Sequence, residues 1–110
     1  MINNAINPLD GRYFEKTRAL APYFSEEALM KYRIMAEGEY FIFLSLSGKT
    51  DLRKFTSVEV KKIRSLYELK EQDFQHIKKI EKMTNHDVKA VEYFMKLKVA
   101  NTSLRNVSEW

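Results

Sequence analysis

The chain has 110 residues, 45% hydrophobic and 31% charged, with no cysteine and a formal net charge of +4. That size and composition suit one globular domain with a buried core, and they exclude a disordered chain, disulfides and thiolate metal sites. The longest apolar run, Tyr40-Phe41-Ile42-Phe43-Leu44, is far short of the roughly 20 residues that span a bilayer. Met1-Ile2-Asn3-Asn4 has neither a basic leader nor an apolar signal core, so a soluble, cytoplasmic protein is expected.

Residues 1–24 read as an irregular arm. Pro8 holds Asn7 in an extended conformation, and Asp10-Gly11 is a turn signal. Ser25 caps the first long helix, with Glu26 and Glu27 against the positive end of its dipole. Leu29, Tyr32, Met35 (or Ala36), Tyr40, Phe43 and Leu44 recur at helical spacing and are expected to face the core. Gly38 costs this helix about 1 kcal/mol against alanine, and Ser47-Gly48-Lys49 stops it.

Thr56-Ser57-Val58-Glu59 has the spacing of a capping box, and Val60, Ile63, Leu66 and Tyr67 form the stripe behind it. After a break near Lys70-Glu71, the stripe Phe74, Ile77 and Ile80 (or Glu81) marks another helix. Thr84 or Asn85 is expected to cap the next, with Val88, Val91, Phe94 and Met95 inward. Asn101-Thr102-Ser103 ends it, and Val107-Ser108-Glu109-Trp110 reads as the opening of a further helix. No strand alternation, repeat or low-complexity linker interrupts this pattern. The expected fold is therefore all-α: one compact domain of about four helices over residues 1–110, preceded by the irregular arm.

Basic residues gather at Lys61, Lys62 and Arg64, at Lys78, Lys79 and Lys82, and at Lys96 and Lys98. Glu59, Glu68, Glu71, Asp73, Glu81 and Glu92 alternate with them, the pattern of solvated helix faces rather than of a specific nucleic-acid surface. Two runs carry the candidate chemistry. In Asp10-Gly11-Arg12-Tyr13, Arg12 offers a rigid fork of donors for phosphate or carboxylate and Tyr13 a hydroxyl or stacking face. The same run also reads as a plain turn whose Tyr13 and Phe14 tuck against the helices. In Thr84-Asn85-His86-Asp87, a helix start exposes N–H groups and His86 adds a donor or a positive charge. A simple helix cap with Asp87 on the dipole is the reading that spacing alone favours for that run. His76 reads as a surface residue, and two histidines ten residues apart make no recognised metal site.

Pro8-Leu9-Asp10-Gly11-Arg12-Tyr13 resembles the N-terminal signature of the adenylosuccinate lyase family, and Ser25 through Arg33 resembles the start of its first long helix. The run from Lys79 to Phe94, containing Thr84-Asn85-His86-Asp87-Val88, is the most specific match and is similar to the longer bacterial-type branch. Val107-Ser108-Glu109-Trp110 resembles the approach to a further active-site segment, where the family usually has Phe in place of Trp110. The likeness covers the whole chain but only the first quarter or so of a family subunit.

The resemblance implies an enzyme that eliminates fumarate from adenylosuccinate, leaving AMP, and from the succinyl-carboxamide ribotide of purine synthesis. It implies no metal or organic cofactor, a cytoplasmic location and a homotetramer for the full-length enzyme. Arg12 and Tyr13 would then contact the nucleotide portion, chiefly its phosphate, while Asn85, His86 and Asp87 line the same site and His86 helps to place and polarise the substrate. The family's catalytic serine lies in a Ser-Ser-x-Met-Pro-x-Lys-x-Asn loop that does not occur here, nor does its later general-acid histidine. No catalytic residue is therefore expected in this chain, and the chain alone is expected to be inactive. A related superfamily lyase acting on another succinyl adduct, or a stand-alone helical binding module, are the alternative readings.

Overall fold

A computed structural model describes residues 4–107, and every regular element in them is helical. The arm is not wholly irregular. It winds into α1 (Phe14–Thr17), a 3-10 turn (Arg18–Leu20) and α2 (Ala21–Phe24), none of which buries a residue. Pro22 fits the first turn of α2, where its missing N–H is not needed. Four longer helices follow: α3 (Glu26–Ser47), α4 (Ser57–Ser65), α5 (Glu71–Thr84) and α6 (Asp87–Val99). None of the described helices is long and apolar enough to cross a membrane. The expected helix at residues 107–110 lies largely outside the described residues, which end in a 3-10 turn, Arg105–Val107.

The punctuation behaves as its chemistry requires. Ser25 Oγ accepts from the Ala28 N–H at 3.1 Å and starts α3, and Gly48 ends it with φ of 69°, a conformation that costs glycine little. Thr56 and Glu59 make a reciprocal box: the Glu59 N–H donates to Thr56 Oγ1 at 3.2 Å and the Thr56 N–H to Glu59 Oε1 at 2.9 Å. A break separates α4 from α5 ahead of Glu71, as expected.

One core joins the four long helices and the segment after them. It contains Met30, Ile34, Phe41 and Ile42 of α3, Ile63 of α4, Ile77 of α5, and Ala90, Val91, Phe94, Met95 and Val99 of α6, with Phe55, Leu66 and Leu104 closing its ends. Phe41 and Phe55 meet edge to face with centroids 4.8 Å apart. α5 and α6 form an antiparallel hairpin, its pairing marked by the His76–Phe94 ring contact and the Lys98–Asp73 ion pair of 3.2 Å. α3 lies across α6, with α4 and α2 against its sides.

The facing of α3 departs from expectation. Leu29, Tyr32, Ala36, Tyr40 and Phe43 are not in the buried set, and Met35 and Leu44 are no more than partly covered, while Met30, Ile34, Gly38, Phe41, Ile42 and Ser45 turn inward. The helix carries apolar side chains on both faces, so its periodicity has two solutions and only the neighbours choose between them. Val88 is likewise exposed, while Ala90 and Val99 join the expected Val91, Phe94 and Met95 in the core.

Gly38 has a packing reason. A Cβ there would lie 2.6 Å from Cε1 of Tyr67, whose hydroxyl donates to Glu39 Oε2 at 2.7 Å. Arg64 donates to both oxygens of the same carboxylate, at 3.2 and 3.1 Å, so Tyr67 is held where it lies. Burial, reinforced by the Glu39 carboxylate, pushes the Tyr67 phenol well above its ordinary pKa.

Glu59 is 6% exposed yet ionised. Arg53 donates to its two oxygens at 2.9 and 2.7 Å, Ser103 Oγ at 2.6 Å, and the Thr56 N–H completes the set. The Arg53 guanidinium, ahead of the other donors, holds this carboxyl far below the ordinary glutamate range despite the opposing cost of burial.

Two outcomes follow from these contacts. Gly38→Ala is expected to lower stability by about 1–3 kcal/mol in urea unfolding despite alanine's better helix propensity, and to do no harm in a Tyr67→Leu background. Glu59→Gln is expected to cost about 3 kcal/mol at neutral pH. Because the folded-state pKa of Glu59 is depressed, the unfolded chain takes up this proton first. Its contribution is therefore complete above the ordinary carboxylate range and drains away as pH falls through and below it. Unfolding midpoints measured against pH are expected to fall less steeply on acidification in Glu59→Gln than in the parent.

Candidate functional site

The first candidate run is built by local backbone chemistry. Asn7 Oδ1 accepts from the Leu9 N–H at 2.9 Å, and the Asn7 carbonyl accepts from the N–H groups of Asp10 and Gly11, both at 3.0 Å. Tyr13 donates its N–H to the Pro8 carbonyl at 3.0 Å, and Thr17 Oγ1 donates to the Leu9 carbonyl at 3.0 Å. This tight winding sets Arg12 and Tyr13 side by side and exposed, the guanidinium 4.8 Å from the ring centroid. Among the described residues no carboxylate pairs with Arg12, so its fork of donors faces solvent.

The second run is the hinge of the α5–α6 hairpin. Asn85 takes the left-handed conformation, φ of 53°, and gives its N–H to the Glu81 carbonyl at 2.8 Å, so it ends α5 rather than starting α6. The cap of α6 therefore falls on His86, later than Thr84 or Asn85: its Nδ1 accepts from the Lys89 N–H at 3.2 Å. Only two residues separate the helices, and Asn tolerates the left-handed turn that so short a link demands. Thr84 Oγ1 closes the turn, donating to the His86 carbonyl at 3.1 Å.

The cap has a chemical consequence for His86. A ring that accepts at Nδ1 carries the proton of its neutral form on Nε2 and presents that N–H outward as a donor. Asp87, the first residue of α6, is differently engaged. Its Oδ2 accepts from Arg33 Nη1 at 2.7 Å and its Oδ1 from the Val88 N–H at 2.8 Å. Arg33 first, then Val88, holds the Asp87 carboxyl below the ordinary aspartate range. Asn85, His86 and Asp87 all remain exposed.

Both runs are anchored toward the N-terminal end of α3. The arm leads directly into the Ser25 cap, and Arg33, about 12 Å further along the helix axis, holds Asp87. Within each run the expected residues come together. Between the runs, no hydrogen bond, ion pair or ring contact joins Arg12 or Tyr13 to Asn85, His86 or Asp87 among the described residues. Arg33 is the participant that local sequence patterns do not disclose, because its partner lies 54 residues away.

No family model matches the chain. Curated relatives do. It is 50% identical over 105 residues to adenylosuccinate lyase of Dictyostelium discoideum, an alignment covering 89% of this chain and 22% of the relative. It is 48% identical over 97 residues to adenylosuccinate lyase of Legionella pneumophila (strain Corby), covering 84% of this chain and 21% of that protein. With adenylosuccinate lyase of Escherichia coli (strain K12) it shares 39% identity over 109 residues, 96% of this chain and 24% of the relative. The chain is homologous to adenylosuccinate lyase. It spans between a fifth and a quarter of the length of these relatives. The Arg12 and His86 runs thus belong to a chain related to this lyase along nearly all of its own length.

The geometry of the second run is open to direct measurement. Long-range proton–nitrogen NMR spectra of the 110-residue chain above the histidine pKa are expected to show the His86 ring protonated at Nε2. A ring protonated at Nδ1 contradicts the cap. Arg33→Met is expected to raise the Asp87 pKa toward the ordinary aspartate value in a carboxyl-carbon titration.

Proposed function

We propose that this chain is the N-terminal, substrate-binding part of an adenylosuccinate lyase. In this reading the full-length enzyme eliminates fumarate from adenylosuccinate to leave AMP, and performs the same elimination on the succinyl-carboxamide ribotide. The observation that supports it best is that a chain homologous to this lyase carries both an unneutralised Arg12 fork and an outward Nε2 donor on His86.

The chemistry divides into binding and bond breaking. A proton leaves the carbon beside one carboxylate of the succinyl group while the bond from the neighbouring carbon to nitrogen breaks, so a base, an acid and support for the developing aci-carboxylate are required. Arg12 and Tyr13 take the nucleotide portion, chiefly its phosphate, by a bidentate charge-assisted contact and an adjacent hydroxyl. His86 donates to the substrate from Nε2 and polarises it, with the Asn85 amide beside it. Asp87, held by Arg33, keeps the start of α6 in place at the edge of the site. The sequence contains no Ser-Ser-x-Met-Pro-x-Lys-x-Asn run, so the base comes from outside these residues. The full-length enzyme is read as a cytoplasmic homotetramer that needs no metal or organic cofactor.

The 110-residue chain incubated with adenylosuccinate is expected to release no fumarate above a blank, and release would overturn the assignment of the chain as a binding part alone. In the full-length enzyme, Arg12→Ala and His86→Ala are each expected to lower kcat/KM by about 100-fold, the first with the melting temperature unchanged and the second with no more than the loss of about 1 kcal/mol that removing a helix cap brings. Parent-like kinetics in both variants would remove these two residues from the site.

A further inference from the structure

α3 buries one apolar face and leaves a second one bare. Leu29, Tyr32, Ala36, Tyr40 and Phe43 fall within about 80° of each other around the helix, opposite the inward Ile34, Gly38 and Ser45. Leu29 is 49% exposed, Tyr32 43%, Tyr40 58% and Phe43 62%. A helix apolar on opposite sides belongs between two layers, and only one layer is present among the described residues.

The order of residues on this stripe indicates what the second layer is. Counted from Ala36, tyrosines stand four residues away on either side, at Tyr32 and Tyr40, and large apolar groups seven residues away, at Leu29 and Phe43. The stripe therefore reads alike from either end. In a two-fold contact residue i of one copy meets residue j of the other and the reverse also holds, so a stripe of this order matches like with like along its whole length. Laid antiparallel on itself, the stripe sets Ala36 against Ala36, where small side chains let the backbones approach. Each Tyr32 then faces a Tyr40, and each Leu29 a Phe43.

Area and charge agree with this pairing. The four large side chains expose on the order of 500 Å² per copy, so the pair would bury about 1,000 Å², the size at which specific interfaces begin. The stripe holds no charged residue, as the centre of an interface requires. Glu39 at its edge is neutralised by Arg64 through two hydrogen bonds, so no bare carboxylate from that position faces the approaching copy.

We propose that the outer face of α3 is a self-association surface that pairs two copies of this chain antiparallel about Ala36. The surface is independent of the substrate-binding reading, which uses neither Ala36 nor its flanking tyrosines.

Sedimentation equilibrium of the 110-residue chain from micromolar to millimolar concentration tests it. A reversible monomer–dimer equilibrium is expected. Ala36→Glu, a change to a good helix former on the outer face, should weaken it by at least about tenfold through like charges at the two-fold axis, with the melting curve of the monomer kept. Met83→Glu, on the exposed side of α5, should leave it unchanged. Because the chain has no cysteine, Ala36→Cys should cross-link two copies on mild oxidation, whereas Lys61→Cys on α4 should not. A monomer at every concentration assigns the face to a different occupant and overturns the proposal. So does self-association that Ala36→Glu leaves intact or Met83→Glu abolishes, or cross-linking of the Lys61→Cys variant to the same extent as the Ala36→Cys variant.

Discussion

The arrangement of the helices depends on one ionised carboxylate with no room to move. Glu59 accepts from Arg53, Thr56 and Ser103, and these donors come from the loop after α3, the cap of α4 and the segment after α6. Arg53 adds a contact of its own to the Ser103 carbonyl at 3.0 Å. Ser45 of α3 donates to the Arg53 carbonyl at 2.9 Å and accepts the Phe55 N–H at 2.7 Å, so the loop is held at both ends. A buried charge is costly unless its lone pairs are met, and here the donors arrive from two separate stretches of chain, the connection between α3 and α4 and the segment after α6. The pair thus ties the loop before α4 and the segment after α6 to one point.

A different constraint governs the candidate site. α5 and α6 are joined by only two residues, and this short link carries the candidate residues Asn85 and His86. Asn85 must adopt the left-handed conformation, His86 must be extended, and the next residue must already be helical. Below them, Ala90, Val91 and Phe94 fasten the first turns of α6 into the core, and Arg33 fastens Asp87 from the side. An exposed histidine is ordinarily free to choose its rotamer and tautomer. This one is restricted in both by the hydrogen bond from the Lys89 N–H.

What could be read from the sequence was chemistry that acts over a few residues. The Ser25 cap, the Thr56–Glu59 box and the Gly48 stop follow from side chains meeting their own backbone, and all three stand in the structure. The all-α class and the breaks between helices follow from the same local rules. The inner face of α3 could not be read, since Leu29, Tyr32, Tyr40 and Phe43 are as apolar as the residues that took the core, and only tertiary neighbours separate the two stripes. Glu59 was legible as a cap but not as a buried ion, because Arg53 and Ser103 lie in irregular chain. Arg12, Tyr13, Asn85, His86 and Asp87 stand out as candidates by residue type and family likeness. The cap at His86 and the hold of Arg33 needed the hairpin and the crossing of α3, which no short window contains.

The Arg33–Asp87 pair also bears on how such a surface deals with anions. An aspartate in the first turn favours the helix dipole, but a bare carboxylate beside His86 would repel any anionic group that His86 is placed to meet. Arg33 removes that conflict by neutralising Asp87 from the far side, while Asp87 Oδ1 keeps its bond to the Val88 N–H. Arg12, with no such counter-charge among the described residues, retains its positive charge. The helix start keeps its acidic first residue without the repulsion, and neither Arg12 nor His86 is bonded to a carboxylate among the described residues. This electrostatic sorting, more than the presence of Arg12 or His86 by themselves, is what the proposed binding of an anion requires beyond an ordinary turn and an ordinary cap.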